Sequence, residues 1–323
     1  METKSLYASV DLGGTSIKCA LIDSEGELIY KWEIPTDISN HGQNITQDIS
    51  TALGETLKKL DIPKDRLVGI GMGAPGFVDI ETGVVAEAVN LGWKNYNLKK
   101  ALEEATQLPA FVDNDANVAA LGERWQGAGE GADDVLAVTL GTGIGGGIIA
   151  NGKILHGISG MAGEIGHITV IPEGGYPCNC GKTGCLETVS SATGIRRLAL
   201  DQLPEHPEST LHNLYEKNSD LSSKDVFDAA EAGDSYAVLI VERVTFYLGW
   251  ALANLANTLN PQKIVIGGGV SLAGETLMSP LRHHMKTFSL RGAFEGLDLV
   301  LATLGNDAGI YGGAWLVKHN MEY

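Results

Sequence analysis

Cys178, Cys180 and Cys185 follow the spacing Cys-x-Cys-x4-Cys, and His167 stands eleven residues before the first of them. Three thiols and an imidazole this close together form a Cys3His set. Such a set suits tetrahedral zinc with no open coordination position, which makes the metal structural. Gly181 and Gly184 stand where a knuckle needs sharp turns. The competing reading is a turn with surface thiols. A loop pinned by these four residues would hold Glu164 and Glu187 in fixed places beside it. A ligating imidazole spends its second nitrogen on another partner. At a cleft that partner can be a substrate hydroxyl; away from one, both glutamates are solvated acids.

Two glycine turns and one carboxylate add a second chemistry. Asp11-Leu12-Gly13-Gly14-Thr15 lies between two strand-like segments. Glycines there let backbone N–H groups approach a phosphate, and Asp11 can hold, through water, a metal ion that bridges the phosphates. The alternative is a plain hairpin turn. Gly141-Thr142-Gly143 repeats the arrangement. Gly141, Gly143 and Gly146 also fit G-x-G-x-x-G, but a β-like segment follows, so no helix N-terminus awaits a pyrophosphate. Gly267-Gly268-Gly269 follows a strand and admits either a flat ring or a closely packed helix. Asp113-Asn114-Asp115 sits between a strand and a helix. Asp115 is either a helix N-cap or a general base taking a proton from a hydroxyl that attacks phosphorus. Asn114 can donate to and accept from neighbouring hydroxyls.

The elements that would position these residues come in two similar sets. Leu6–Val10, Ser16–Ile22 and Glu27–Ile34 read as a β-meander. A helix over about 44–60, a short strand at Val68–Met72, a helix at Leu98–Thr106, a strand at Ala110–Val112 and a helix at Ala116–Trp125 follow. Val135–Leu140, Gly146–Ala150 and Lys153–Leu155 then repeat the meander, which reads as an internal duplication. Two such copies predict two lobes with a cleft between them and a boundary near Ala116: residues 1–116, and residues 117–304 carrying the knuckle. The long apolar stretch Tyr236–Leu259 holds Glu242, Arg243, Asn254 and Asn257, so it reads as a buried helix and not a span.

The chain has 323 residues and a formal charge of −17. An acidic surface argues against nucleic-acid and membrane-surface partners, which repel it. No signal peptide is read at the N-terminus, so a cytoplasmic location with reduced thiols is expected. Cys19, in a strand-like run, reads as an apolar core thiol.

Together these motifs resemble the ROK family of sugar kinases, most closely its bacterial glucokinases. The resemblance runs along nearly the whole chain: D11-L-G-G-T15, G73-A-P-G76, D113-N-D115, L140 through H167, C178 through E187 and I266-G-G-G269. It implies an α/β, two-lobed, actin-like (ribonuclease H-like) ATPase fold with an interlobe cleft and a zinc knuckle, in which a C-terminal helix over about 305–323 returns to pack on the first lobe. It implies ATP-dependent phosphorylation of a hexose 6-hydroxyl, glucose first, with Asp115 as base. Asn114, Glu164, His167 and Glu187 would hold sugar hydroxyls, with Gly76 close to the ring. His167, Cys178, Cys180 and Cys185 would bind zinc. The turns Asp11–Thr15 and Gly141–Gly143, together with Gly268, would hold ATP and Mg2+. A homodimer is the family expectation. Kinases of fructose, mannose or N-acetylmannosamine share this residue set, and sugar-sensing repressors carry a helix-turn-helix segment ahead of the first glycine turn. Only ten residues precede Asp11 here, which speaks for the kinase. A zinc-stabilised module without catalysis is the remaining alternative, and Asp115 speaks against it.

Overall fold

The first strand is buried on both sides, and each of its faces meets a different helical layer. The computed structural model describes residues 4–322. The first half builds β1 (Leu6–Leu12), β2 (Ser16–Asp23), β3 (Leu28–Pro35), α1 (Ile45–Lys59), β4 (Leu67–Ala74), β5 (Val78–Asp79), β6 (Val84–Ala88), β7 (Trp93–Asn97), α2 (Leu98–Thr106), β8 (Ala110–Asn114) and α3 (Asp115–Gln126). The second half builds β9 (Val135–Leu140), β10 (Ile144–Ala150), β11 (Lys153–Ile154), α4 (Glu187–Ser190), α5 (Ala192–Asp201), α6 (Thr210–Asn218), α7 (Ser223–Glu231), α8 (Ser235–Leu259), β12 (Lys263–Gly267), α9 (Glu275–Phe288), α10 (Arg291–Glu295), β13 (Asp298–Leu301) and α11 (Ala308–Glu322).

The duplication is visible in the sheets. One has the order β3-β2-β1-β4-β8 and the other β11-β10-β9-β12-β13. In each, a meander is extended by two parallel strands. A third sheet, β5-β6-β7, was not anticipated. Its strands are two to five residues long, too short for period-two alternation to stand out from a loop.

In the first sheet, Leu6, Ala8, Val10 and Leu12 point into a core shared with Ile45, Ile49 and Leu102. Tyr7 faces the other way, onto Ile310, Ala314 and Val317 of α11. The same alternation puts Ser9 on that face, where its hydroxyl donates to the carbonyl of Ile310. The C-terminal helix thus returns to the first sheet, as the resemblance implied. Cys19 is buried, as read, and burial pushes its thiol up to about 12.

By internal contacts the chain divides into two units: Met1–Gly131 with Gly147–Gly163 and Leu304–Tyr323, and Ala132–Gly146 with Glu164–Thr303. These bounds differ from the expected 1–116 and 117–304. α3 belongs with the first unit because it packs on α11 and β4, and Gly147 lies against Ala120 of α3. A duplicated strand pattern marks where a motif restarts, not where contacts thin out. Among the described residues, α8 is the one helix long and apolar enough to cross a membrane, and most of its apolar window is buried.

α11 comes close to its neighbours through glycine. A Cβ on Gly312 would stand 1.7 Å from the carbonyl oxygen of Val118 in α3. Helix propensity alone would make Gly312→Ala stabilising by about 1 kcal/mol. Overpacking against a backbone atom costs about 1–3 kcal/mol and should win. The expected outcome is a lower urea midpoint at unchanged m-value; a raised midpoint would show that α11 shifts freely.

Candidate functional site

β8 ends in the buried Asp113, and the chain turns directly into α3. Asn114, not Asp115, is the N-cap: its Oδ1 accepts from the N–H groups of Ala116 at 2.9 Å and Asn117 at 3.4 Å. Its Nδ2 donates to the carbonyl of Gly76 at 3.0 Å, which ties the cap to the Gly73–Gly76 turn. The capping alternative for Asp115 is therefore corrected. Asp115 is the first helical residue, exposed, with Oδ1 accepting from the N–H of Ala116 at 2.8 Å. A carboxylate in the first turn of a helix is favoured by the backbone dipole. Behind it, Asp113 Oδ1 accepts from the N–H of Asn114 at 2.7 Å and from Nδ2 of Asn117 at 2.9 Å. Its Oδ2 meets His156 Nε2 at 2.7 Å. Asp113 carried no role in the sequence reading beyond the D-N-D motif, and Asn117 and His156 carried none; their only signal is a buried acid ending a strand.

The first glycine turn is a hairpin joining β1 to β2. Gly13 N–H donates to Ser16 at 3.0 Å, and the hydroxyl of Thr36 donates to the carbonyl of Gly13 at 2.7 Å. Gly14 and Thr15 remain exposed, so a hairpin turn and an outward-facing backbone coexist there. Asp11 packs against Gly309 at the start of α11, and Lys18 Nζ lies 3.6 Å from its Oδ2. Burial raises the Asp11 carboxyl above its ordinary range, with Lys18 opposing. A divalent cation would favour the charged form.

The second glycine turn, Gly141-Thr142-Gly143, lies in the second unit and has a further job. Glu187 opens α4, and its Oε2 accepts from the N–H of Ile144 at 2.9 Å. A Cβ on Gly143 would stand 2.2 Å from that oxygen. Glycine here makes room for a carboxylate, an interaction 43 residues long that spacing could not reveal. Beside the turn lies a cavity of about 360 Å3 lined by Thr142, Gly143, Cys178, Thr188 and Arg197. Nη1 of Arg197 has no hydrogen-bond partner among the described residues. Gly268, between β12 and the next turn, adopts φ +83°.

The four knuckle residues converge. One ligand atom each from His167, Cys178, Cys180 and Cys185 lies within 4.8 Å of all the others. Cys178 Sγ stands 3.5 Å from His167 Nδ1, and Cys180 Sγ 3.6 Å from Cys185 Sγ. A tetrahedral zinc with bonds of about 2.3 Å to sulfur requires edges of roughly 3.8 Å, so the donor set fits this metal. Backbone bonds shape the loop: Cys178 N–H donates to Lys182 and Gly184 N–H to Tyr176. Burial pushes the Cys185 thiol up to about 12, while the backbone N–H of Lys182 draws Cys180 down. A bound cation would favour the thiolate at both. Nδ1 of His167 faces the sulfurs, and Nε2 faces Glu164 Oε2 at 3.8 Å. That gap exceeds a direct hydrogen bond. An oxygen placed between the two could bridge them, accepting from Nε2 and donating to the carboxylate.

Each unit thus carries part of the anticipated set. Gly76, Asn114, Asp115 and the Asp11–Thr15 turn lie in the first. Glu164, His167, Glu187, the cysteines, Gly141–Gly143 and Gly268 lie in the second. Three comparisons bear on what these parts do. The profile of the ROK family matches residues 7–320. A glucokinase of Halalkalibacterium halodurans is 58% identical over 97% of this chain and 94% of its own. Among solved structures, a ROK family glucokinase from Streptomyces griseus in complex with glucose and AMPPNP is 35% identical, with TM-score 0.78 over 98% of this chain and 100% of its own. A ROK family transcriptional regulator aligns with TM-score 0.85 at 29% identity, over 98% of this chain and 78% of its own.

The capping assignment is open to measurement. Asn114→Ala should cost about 0.5–2 kcal/mol of unfolding free energy, and Asp115→Ala clearly less. Equal losses in urea denaturation would return the cap to Asp115.

Proposed function

The chain belongs to the ROK family, and from that membership we infer a glucokinase, which transfers the γ-phosphoryl group of ATP to the 6-hydroxyl of glucose. The observation that carries this reading is the full-length likeness to glucokinases together with an exposed Asp115 at the first turn of α3. Asp115 is the general base: it takes the hydroxyl proton as that oxygen attacks phosphorus. Asn114 keeps one amide hydrogen for a sugar hydroxyl, since its oxygen and the other hydrogen are spent on Ala116, Asn117 and Gly76. His167 and Glu164 hold a hydroxyl between them, and Glu187 offers the oxygen not engaged by Ile144. Gly76 stands close to the ring.

The Asp11–Thr15 turn and the Gly141–Gly143 turn hold the phosphates through backbone N–H groups other than those of Gly13 and Gly141, which donate to Ser16 and Gly143, and Arg197 lines the adjoining cavity. Gly268 borders the nucleotide. Asp11 would hold Mg2+ through water; when bound, the ion neutralises charge on the transferred group. His167, Cys178, Cys180 and Cys185 would hold zinc, which supplies no chemistry to the transfer and fixes the loop bearing His167. The enzyme works in the cytoplasm as a dimer on small molecules, with no nucleic-acid or membrane partner.

Replacing the base by its amide tests the assignment. Asp115→Asn should lower kcat by about 10²–10⁴-fold while calorimetry still detects glucose binding; a near-wild-type kcat would exclude Asp115. A coupled assay across glucose, fructose, mannose and N-acetylmannosamine should give its highest kcat/KM with glucose. The metal assignment has its own readout. Atomic emission should find about one zinc per chain, and Cys185→Ser should lose the metal together with thermal stability; zinc-free wild-type protein of equal Tm would rule out a structural ion.

A further inference from the structure

We propose that His156 is a positioning residue for phosphoryl transfer, acting through Asp113 on the turn that presents Asp115. The inference rests on the assignment of Asp115 as base. Asp113 ends β8 and is 2% exposed. Its contacts with Asn114 N–H and Asn117 Nδ2 both come from donors. The carboxylate is therefore used as an acceptor, and His156 Nε2, 2.7 Å from Oδ2, carries the hydrogen and donates it. Three groups from three places are thereby held on one side chain: the backbone of the N-cap, the first turn of α3, and the loop after β11. His156 is itself three-quarters buried.

The arrangement fixes a direction as well as a distance. Asn114 caps α3 through its side chain while its N–H is held from behind by Asp113. Asp115 follows immediately, so a turn of the Asp113 carboxylate moves the base. Without His156, Oδ2 keeps no protein donor among the described residues. A buried acceptor without a donor is costly, and the carboxylate would swing toward water. An error of about 1 Å in the placing of a catalytic group costs on the order of 10²-fold in rate.

One feature of the surroundings allows a test by chemical complementation. A cavity of about 280 Å3 is lined by Asp113, His156, Phe111, Leu121, Ile154 and Trp315. Lys99, Lys153, His319 and Asn320 also line it, and Asp113, its one carboxylate, would receive free imidazole where the side chain has been removed.

Three variants decide the matter with saturating glucose and ATP, each checked for folding by circular dichroism. His156→Gln keeps a donor within reach and should stay within about threefold of wild-type kcat. His156→Leu keeps the bulk without the donor and should lose about 10- to 100-fold in kcat at unchanged KM for ATP. His156→Gly should lose as much and recover saturably with added imidazole. Wild-type kcat in His156→Leu, or a folded His156→Gly that imidazole leaves unchanged, would overturn the proposal. If His156→Gly does not fold, the contrast between Gln and Leu decides alone. Asp115→Asn, run in parallel, separates the two assignments. Turnover retained there removes the base, whereas equal kcat for the Gln and Leu variants removes only the role of His156.

Discussion

Three thiols and an imidazole with their donor atoms within 4.8 Å of one another are the constraint on which the rest of the second unit's candidate site depends. Between Glu164 and Glu187 the chain has one short 3-10 turn and two isolated β-bridges. Such a segment buries little apolar surface and has no ladder to hold it. Three thiols pressed together without a cation would remain protonated or repel; burial first, and the neighbouring thiols after it, raise Cys185. The proposed divalent ion would convert that crowding into attraction and take the place of a hydrophobic core as the source of order. The consequence is directional. With Nδ1 of His167 turned to the sulfurs, Nε2 is aimed at Glu164.

The two glycine turns show how a duplicated framework diverges in use. Both join the first two strands of a meander, and the sheets have matching strand orders. In the first copy the turn is closed by its own backbone and by Thr36. In the second, the Glu187 carboxylate fills the space beside Gly143 and takes the N–H of Ile144. Matching backbones thus present different groups: one turn leaves Gly14 and Thr15 exposed, the other carries a fixed anion next to a cavity.

Much of this was legible beforehand. Strand-like runs separated by glycine turns gave β1, β2 and β3 within one or two residues, and the glycine-bounded repeat gave the matching sheet. Cys19 read correctly as a core thiol because it sits in an apolar strand. The convergence of His167 with the three cysteines was legible because the four residues are close in sequence and their chemistry admits few partners. Other features were not. The division into units ran differently from the repeat because α3 is held by α11, almost two hundred residues later. The cap fell on Asn114 and not Asp115 because the backbone of Asn114 is still extended while Asp115 is already helical. Either side chain could cap, and only φ and ψ choose.

By itself, then, the order of residues determined the local objects: strands, turns, the ligand set and the carboxylate beginning a helix. Each depends on neighbours within a few positions, where propensity and spacing act directly. Folding alone decided which groups those objects face. Asp113 met His156 across 43 residues, Glu187 met Ile144 across 43, and β1 met α11 across some 300. Such partners are selected by burial and by the demand that each buried acceptor find a donor, and neither quantity exists until the chain is packed.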